Sequence, residues 1–208
     1  MTAGRFIALE GGEAVGKSTQ ARRLAAALRE RGVDVVETRE PGGSDGAEAI
    51  RSLLMRGEAD RWSAPAEALL FAAARSDHIH RTIRPALESG RWILCDRFIH
   101  SSIAYQGIAG GVGEPQIRAL HEIGSAGLLP DRVLLLQLDP DEAARRMSRR
   151  DGASLDRFGA RDEVFHRNVA DAFSALAKAE TERFRTVSAL GDEEEVTQKL
   201  VAALDDLL

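Results

Sequence analysis

Five short runs rich in Val, Ile and Leu recur along the chain, each separated from the next by a segment too long for a hairpin. They are RFIALE (5–10), VDVVET (33–38), WILCDR (92–97), RVLLLQLD (132–139) and FRTVSAL (184–190). Strands that no tight turn can join pair in parallel, and their crossover helices cover both faces of the sheet. The pattern predicts an α/β chain on a five-stranded parallel sheet, with ligands expected at the carboxyl ends of the strands. Three of the runs end there in polar residues: Glu10-Gly11, Asp96-Arg97 and Asp139-Pro140.

The intervening segments have helical period. Ala21, Leu24, Ala25 and Leu28 fall at i, i+3, i+4 and i+7 ahead of Gly32, and a second helix carries Ile50, Leu53 and Leu54. A third opens at Ser63 and Pro65 and runs through ALLFAAAR towards Gly90, with a kink or break expected at Pro85. GIAGGVGEP (107–115) reads as a loop before a helix through Leu120 and Ile123. After a short helix from Pro140, RRDGASLDRFGARD (149–162) is polar, basic and glycine-punctuated, which predicts a mobile flap and not core. A helix from about Glu163 to Arg183 and a last one with Val196, Leu200 and Leu204 complete a single expected domain over 1–208.

Composition narrows the partners. The chain has 208 residues, 44% hydrophobic, and 28 Lys+Arg against 33 Asp+Glu give a net charge of −5. That balance argues against sequence-independent binding to nucleic acid, which needs a basic surface. The apolar runs around Ile93 and Leu134 fall short of the roughly 20 residues of a membrane helix, so no membrane partner is expected. MTAGRFIALEGG has no apolar h-region before its glycines and so does not read as a secretory signal, and Cys95 is the one cysteine; both fit a cytoplasmic protein.

Gly11-Gly12-Glu13-Ala14-Val15-Gly16-Lys17-Ser18 matches G-x-x-x-x-G-K-[ST], with Thr19 next, between a predicted strand and a predicted helix. Glycines let such a loop turn its amides inward, and the helix adds its positive end, so the pair cradles polyphosphate. Lys17 brings a point charge to the β and γ phosphates, and Ser18 offers a hydroxyl to Mg²⁺. The expected co-substrate is ATP or GTP with magnesium. No Asn-Lys-x-Asp is present, as a switch GTPase would require, and a DNA-directed ATPase would be larger or basic. A kinase acting on a small anionic acceptor fits best, with arginines available at Arg39, Arg75, Arg97 and, towards the flap, Arg145, Arg149, Arg150 and Arg157.

An ordered series of motifs resembles the bacterial thymidylate kinase family over nearly the whole chain: FIALEGGEAVGKST (6–19), TREPGG (38–43), LLFAAAR (69–75), DRF (96–98), SSIAYQG (101–107) and LDR (155–157). The phosphate loop alone is generic; TREPGG with F-x-A-A-R and D-R-[aromatic]…A-Y-Q-G is specific. The resemblance implies a three-layer P-loop NTPase fold with a short flexible lid at about 149–162. It also implies transfer of the γ-phosphoryl of ATP to dTMP, giving dTDP for DNA replication, in a homodimer. Phe71 would stack on thymine and Arg75, four residues on and on the same helical face, would donate to the base oxygen O4, where cytosine carries an amino group. Arg97 would grip the dTMP phosphate, with Asp96 orienting it or ordering waters of the metal. Tyr105 would fill the space of a ribose 2′-hydroxyl, and Ser102 and Gln106 would lie near the base edge. Arg39, Glu40, Pro41 and Leu54 would line the acceptor pocket, and Glu13 would approach the 3′-hydroxyl or act through metal-bound water. The loop has no arginine at Ala14 or Val15, so one of Arg149, Arg150 or Arg157 would swing over the transferring phosphoryl. Ser188 stands where relatives often carry Asp, which leaves adenine selection open. His78 and His80 lack metal-ligand spacing and read as surface or helix residues.

Overall fold

The computed structural model describes residues 4–58, 60–139, 142–143, 145–146, 157–159 and 161–208. Five strands, β1 (Phe6–Glu10), β2 (Val35–Arg39), β3 (Trp92–Asp96), β4 (Arg132–Gln137) and β5 (Phe184–Ser188), form one parallel sheet in the order β2-β3-β1-β4-β5. The central strands are apolar on both sides because both sides are covered. Phe6, Ala8, Ile93, Cys95, Val133 and Leu135 enter one core layer with Phe98, Ile103 and Phe173. Their neighbours Ile7, Leu9, Leu94, Leu134 and Leu136 point the other way, into a layer with Leu24, Leu28 and Leu200. This period of two is the pleat itself.

The helices are α1 (Lys17–Glu30), α2 (Asp45–Met55), α3 (Ala64–His78), α4 (Arg84–Glu88), α5 (Ile99–Ser102), α6 (Glu114–Ser125), α7 (Glu163–Ala179) and α8 (Glu193–Ala202). The expected strands and principal helices are present among the described residues, and three boundaries differ from the periodicity. The kink expected at Pro85 is a π-helical turn, Ile79–Ile83, joining α3 to α4. A widened turn just ahead of the proline moves its ring off the carbonyl it would strike in an α-helix. A second π-helical segment, Ile103–Ala109, runs on from α5, so the helix reaches beyond Gly107, where a loop was expected to begin. Tyr105 and Gln106, both buried, hold it against the core. Finally, α7 ends at Ala179, and Arg183 closes a turn on the Glu180 carbonyl, short of the expected helix to Arg183.

Candidate active site

β1 and β3 lie side by side, and the polar residues at their carboxyl ends meet in one cleft of about 260 Å³. The phosphate loop forms one end. At Gly11 (φ +145) a side chain would meet the Leu136 carbonyl oxygen at 2.5 Å, so only glycine lets the loop pass this close to β4. Val15 turns into the core beneath α1, while Glu13, Ala14, Gly16, Lys17 and Ser18 border the cleft. No side chain among the described residues caps α1, which leaves its first-turn N–H groups for an anion. Lys17 reaches across the loop to donate to the Gly12 carbonyl at 2.5 Å. Burial, with the like charge of Arg97, pulls its ammonium down to about 8.

Ser18 Oγ donates to Asp96 Oδ2 at 2.7 Å, tying α1 to the end of β3. The other oxygen, Asp96 Oδ1, is buried and has no hydrogen-bond partner among the described residues. A hydroxyl and an unsatisfied carboxylate oxygen beside a phosphate cradle suit Mg²⁺, which takes oxygen ligands and draws most of them from phosphates and water.

Arg97 joins the two halves of the cleft. Its backbone is left-handed (φ +70), which aims the guanidinium back at the phosphate loop. Nη1 donates to Gly11 O and Ser101 Oγ, both at 3.1 Å, and Nη2 donates to Glu13 Oε1 at 2.6 Å and Tyr105 Oη at 3.3 Å. Burial opposes the charge on Arg97, but Glu13, Tyr105 and Asp96 hold its pKa above the ordinary arginine range. Burial alone would raise Glu13; Arg97, Lys17 and the Tyr105 hydroxyl reverse this and hold it at about 2. Burial also pushes the Tyr105 hydroxyl up, so it remains a donor, to Glu13 Oε1 at 2.7 Å.

TREPGG and α3 build the opposite wall. Arg75 Nε donates to Glu40 Oε2 at 2.7 Å, and Nη2 donates to Ser102 Oγ at 2.8 Å. Phe71 borders the cleft one turn before Arg75, edge-on to Phe158 at 5.6 Å, and Phe158 also meets the Tyr105 ring. Gln106 Nε2 donates to Glu67 Oε1 at 3.0 Å.

A family model described as "Thymidylate kinase" matches residues 9–200. The chain belongs to the thymidylate kinase family. It is 65% identical to the thymidylate kinase of Rhizorhabdus wittichii over 99% of each chain. To that of Caulobacter vibrioides it is 46% identical, over 100% of this chain and 97% of the relative. Its fold superposes on the crystal structure of thymidylate kinase from Ehrlichia chaffeensis with a TM-score of 0.79 at 29% identity, covering 98% of this chain and all of that one.

Within this thymidylate kinase fold, Glu13, Lys17, Ser18, Arg39, Pro41, Phe71, Arg75, Asp96, Arg97, Ser102, Tyr105 and Gln106 all line the one cleft. Of the acceptor-pocket and flap residues named from the sequence, Leu54 and Arg157 lie elsewhere. Leu54 is fully buried and Met55 faces the cleft in its stead, because the helix turns its 54 position to the core. Arg157, expected as a cation free to swing over the phosphoryl, is buried: it donates to Leu54 O at 2.9 Å, to Glu58 O at 2.7 Å and to Glu67 Oε2 at 3.3 Å. The carbonyls at the end of α2 form the negative pole of that helix, a natural seat for a guanidinium. Arg149, Arg150 and most of the 149–162 flap lie outside the described residues.

Sequence reasoning missed the roles of Glu10, Arg51 and His78. Glu10 is fully buried at the end of β1 and accepts from Phe98 N, Ser101 N and Ser101 Oγ, which pins the chain just after Arg97. Burial raises its pKa. Its signal was present, a glutamate closing an otherwise apolar strand. Arg51 borders the cleft and donates to Pro41 O at 2.7 Å, with no sequence signal beyond its place on α2. Of the two histidines read as surface or helix residues, His80 is exposed, and His78 is the last residue of α3 and fully buried.

Proposed function

We propose that this protein is a thymidylate kinase that transfers the γ-phosphoryl of ATP to dTMP, giving dTDP and ADP. One observation carries the reading: the phosphate loop with Lys17 and Ser18, and a wall of Phe71 and Arg75, border one cleft together with Arg97.

An oxygen of the dTMP phosphate forms the new bond to the γ-phosphorus. The bond from that phosphorus to its bridging oxygen breaks, and ADP leaves with the electron pair. The protein's part is positioning and charge compensation. Lys17 and the α1 amides bind the triphosphate. Arg97, whose charge Glu13 secures, holds the acceptor phosphate beside it and keeps two anions at reacting distance. Phe71 stacks on the base, Arg75 donates to its oxo edge, and Tyr105 occupies the space of a 2′-hydroxyl. Arg39, Pro41, Ser102 and Gln106 complete the acceptor pocket. Ser18 and Asp96 would hold Mg²⁺, which, when bound, offsets charge on the phosphate oxygens. The cation over the transferring group is assigned to Arg149 or Arg150 of the flap, since Arg157 is engaged by α2 and Glu67.

The same reading assigns the enzyme to the cytoplasm, as a homodimer. The dimer is supported by two apolar side chains exposed on packed helices, Leu69 of α3 and Ile123 of α6. Coupled ADP release over dTMP, dUMP, AMP, GMP, CMP and thymidine tests the acceptor assignment. dTMP is expected to give the highest kcat/KM, and preference for a purine nucleotide would overturn it.

A further inference from the structure

His78 does not border the cleft, yet three parts of the acceptor side converge on it. Fully buried, it places Nε2 2.7 Å from Thr38 Oγ1 and Nδ1 3.1 Å from Glu40 Oε1. With Nδ1–H donating to the carboxylate, Nε2 accepts from the Thr38 hydroxyl, so the carboxylate selects the tautomer. The other oxygen of Glu40 accepts from Arg75 Nε at 2.7 Å. Arg75 Nη2 is taken by Ser102 Oγ at 2.8 Å and Phe98 O at 3.3 Å, whereas Nη1 makes no hydrogen bond among the described residues. Two edges of the guanidinium are thus fixed by the protein, and the third is left to the cleft that Arg75 borders. Gly43 is shaped to this arrangement: at its φ of +85 a side chain would come within 2.3 Å of His78 Nε2 and 2.4 Å of Thr38 Oγ1.

We propose that His78 is a positioning residue for acceptor choice: acting through Glu40, it holds Arg75 so that Nη1 presents its N–H groups to an oxo edge of the pyrimidine and rejects an amino edge. This rests on the reading of Arg75 as the base-facing donor. A carboxylate held at both oxygens has one orientation. Held by Arg75 alone, it is free to turn and to take the guanidinium with it, and a misaimed donor loses discrimination, since rejection depends on leaving a buried donor unpaired. The triphosphate end of the cleft has no part in the chain.

Steady-state kinetics of the full chain with dTMP and dCMP decide the matter, for the wild type, R75A, H78F, H78N and T38V. H78F is expected to raise KM for dTMP, and to cut the dTMP-to-dCMP preference, by about tenfold each, with kcat and KM for ATP within about twofold. H78N, whose side-chain amide still donates to Glu40, is expected to recover most of both. T38V, which removes only the far hydroxyl, should shift the preference in the same direction by about threefold, and it decides the question if H78F does not fold. Unchanged preference in H78F or T38V, with R75A abolishing it, overturns the role of His78 alone. A neutral R75A overturns the base-facing assignment and the proposal with it. Even losses in kcat and in both KM values, without rescue by H78N, reduce His78 to a structural residue.

Discussion

Lys17 and Glu13 show how burial and charge are balanced within the phosphate loop. An ammonium held at about 8 by burial is under-compensated, and a bound triphosphate is the partner that repairs this. Lys17→Met is therefore expected to lower kcat about 10²–10³-fold while leaving the thermal midpoint within a few degrees. Near-normal dTDP formation by that variant would remove Lys17 from the mechanism. Glu13 has the opposite sign: its carboxyl lies at about 2, below its ordinary 4.5. Its contribution to stability is complete above about pH 4.5 and is lost as pH falls towards about 2. The urea midpoint of Glu13→Gln should accordingly lie below that of the wild type at pH 7 and approach it at pH 3; a gap independent of pH would contradict the Arg97–Glu13 pairing. Lys17 and Ser18 were legible because the loop motif fixes their spacing. Glu10 was visible as the polar end of its strand, but its role was not, nor was that of His78, since a buried carboxylate or imidazole owes its role to partners 91 and 38–40 residues away.

The elements carry the site by where they stop. β1 and β3 end level with one another, Leu9 pairing with Asp96, which places the phosphate loop beside Asp96 and Arg97. Gly11→Ala would push the loop against the Leu136 carbonyl in a backbone conformation hostile to alanine, and is expected to cost about 1–3 kcal/mol, read by urea denaturation, with weaker ATP binding. Stability and ATP affinity equal to the wild type would show that this close approach does not constrain the loop. Arg157 joins the flap to the end of α2 and to buried Glu67. Arg157→Met should destabilise by about 3–5 kcal/mol, because Glu67 stays buried with fewer cations. Unchanged stability with lost turnover would return Arg157 to the phosphoryl. Element identity was legible from period and caps, as at Ser63 and Pro65. The two π-helical turns were not, because widening follows from a proline clash or a buried tyrosine and leaves no period of its own in the sequence.

At the scale of the whole molecule, the sheet order β2-β3-β1-β4-β5 puts the triphosphate cradle on the central strand and the acceptor wall on its β3 side, so one cleft serves both substrates. The parallel sheet was legible from five apolar runs; the order of its strands was not, since all five runs satisfy the same pattern. Sedimentation equilibrium is expected to give twice the chain mass of 22.5 kDa, and Leu69→Glu with Ile123→Glu should shift it towards the monomer. A wild-type monomer would contradict the dimer assignment. The direct test of phosphoryl transfer follows ATP labelled with ¹⁸O in its γ-phosphoryl, incubated with the purified protein, Mg²⁺ and dTMP and read by mass spectrometry. The label is predicted to appear in the β-phosphoryl of dTDP, with little in inorganic phosphate; label in inorganic phosphate alone, with dTMP unchanged, would contradict it.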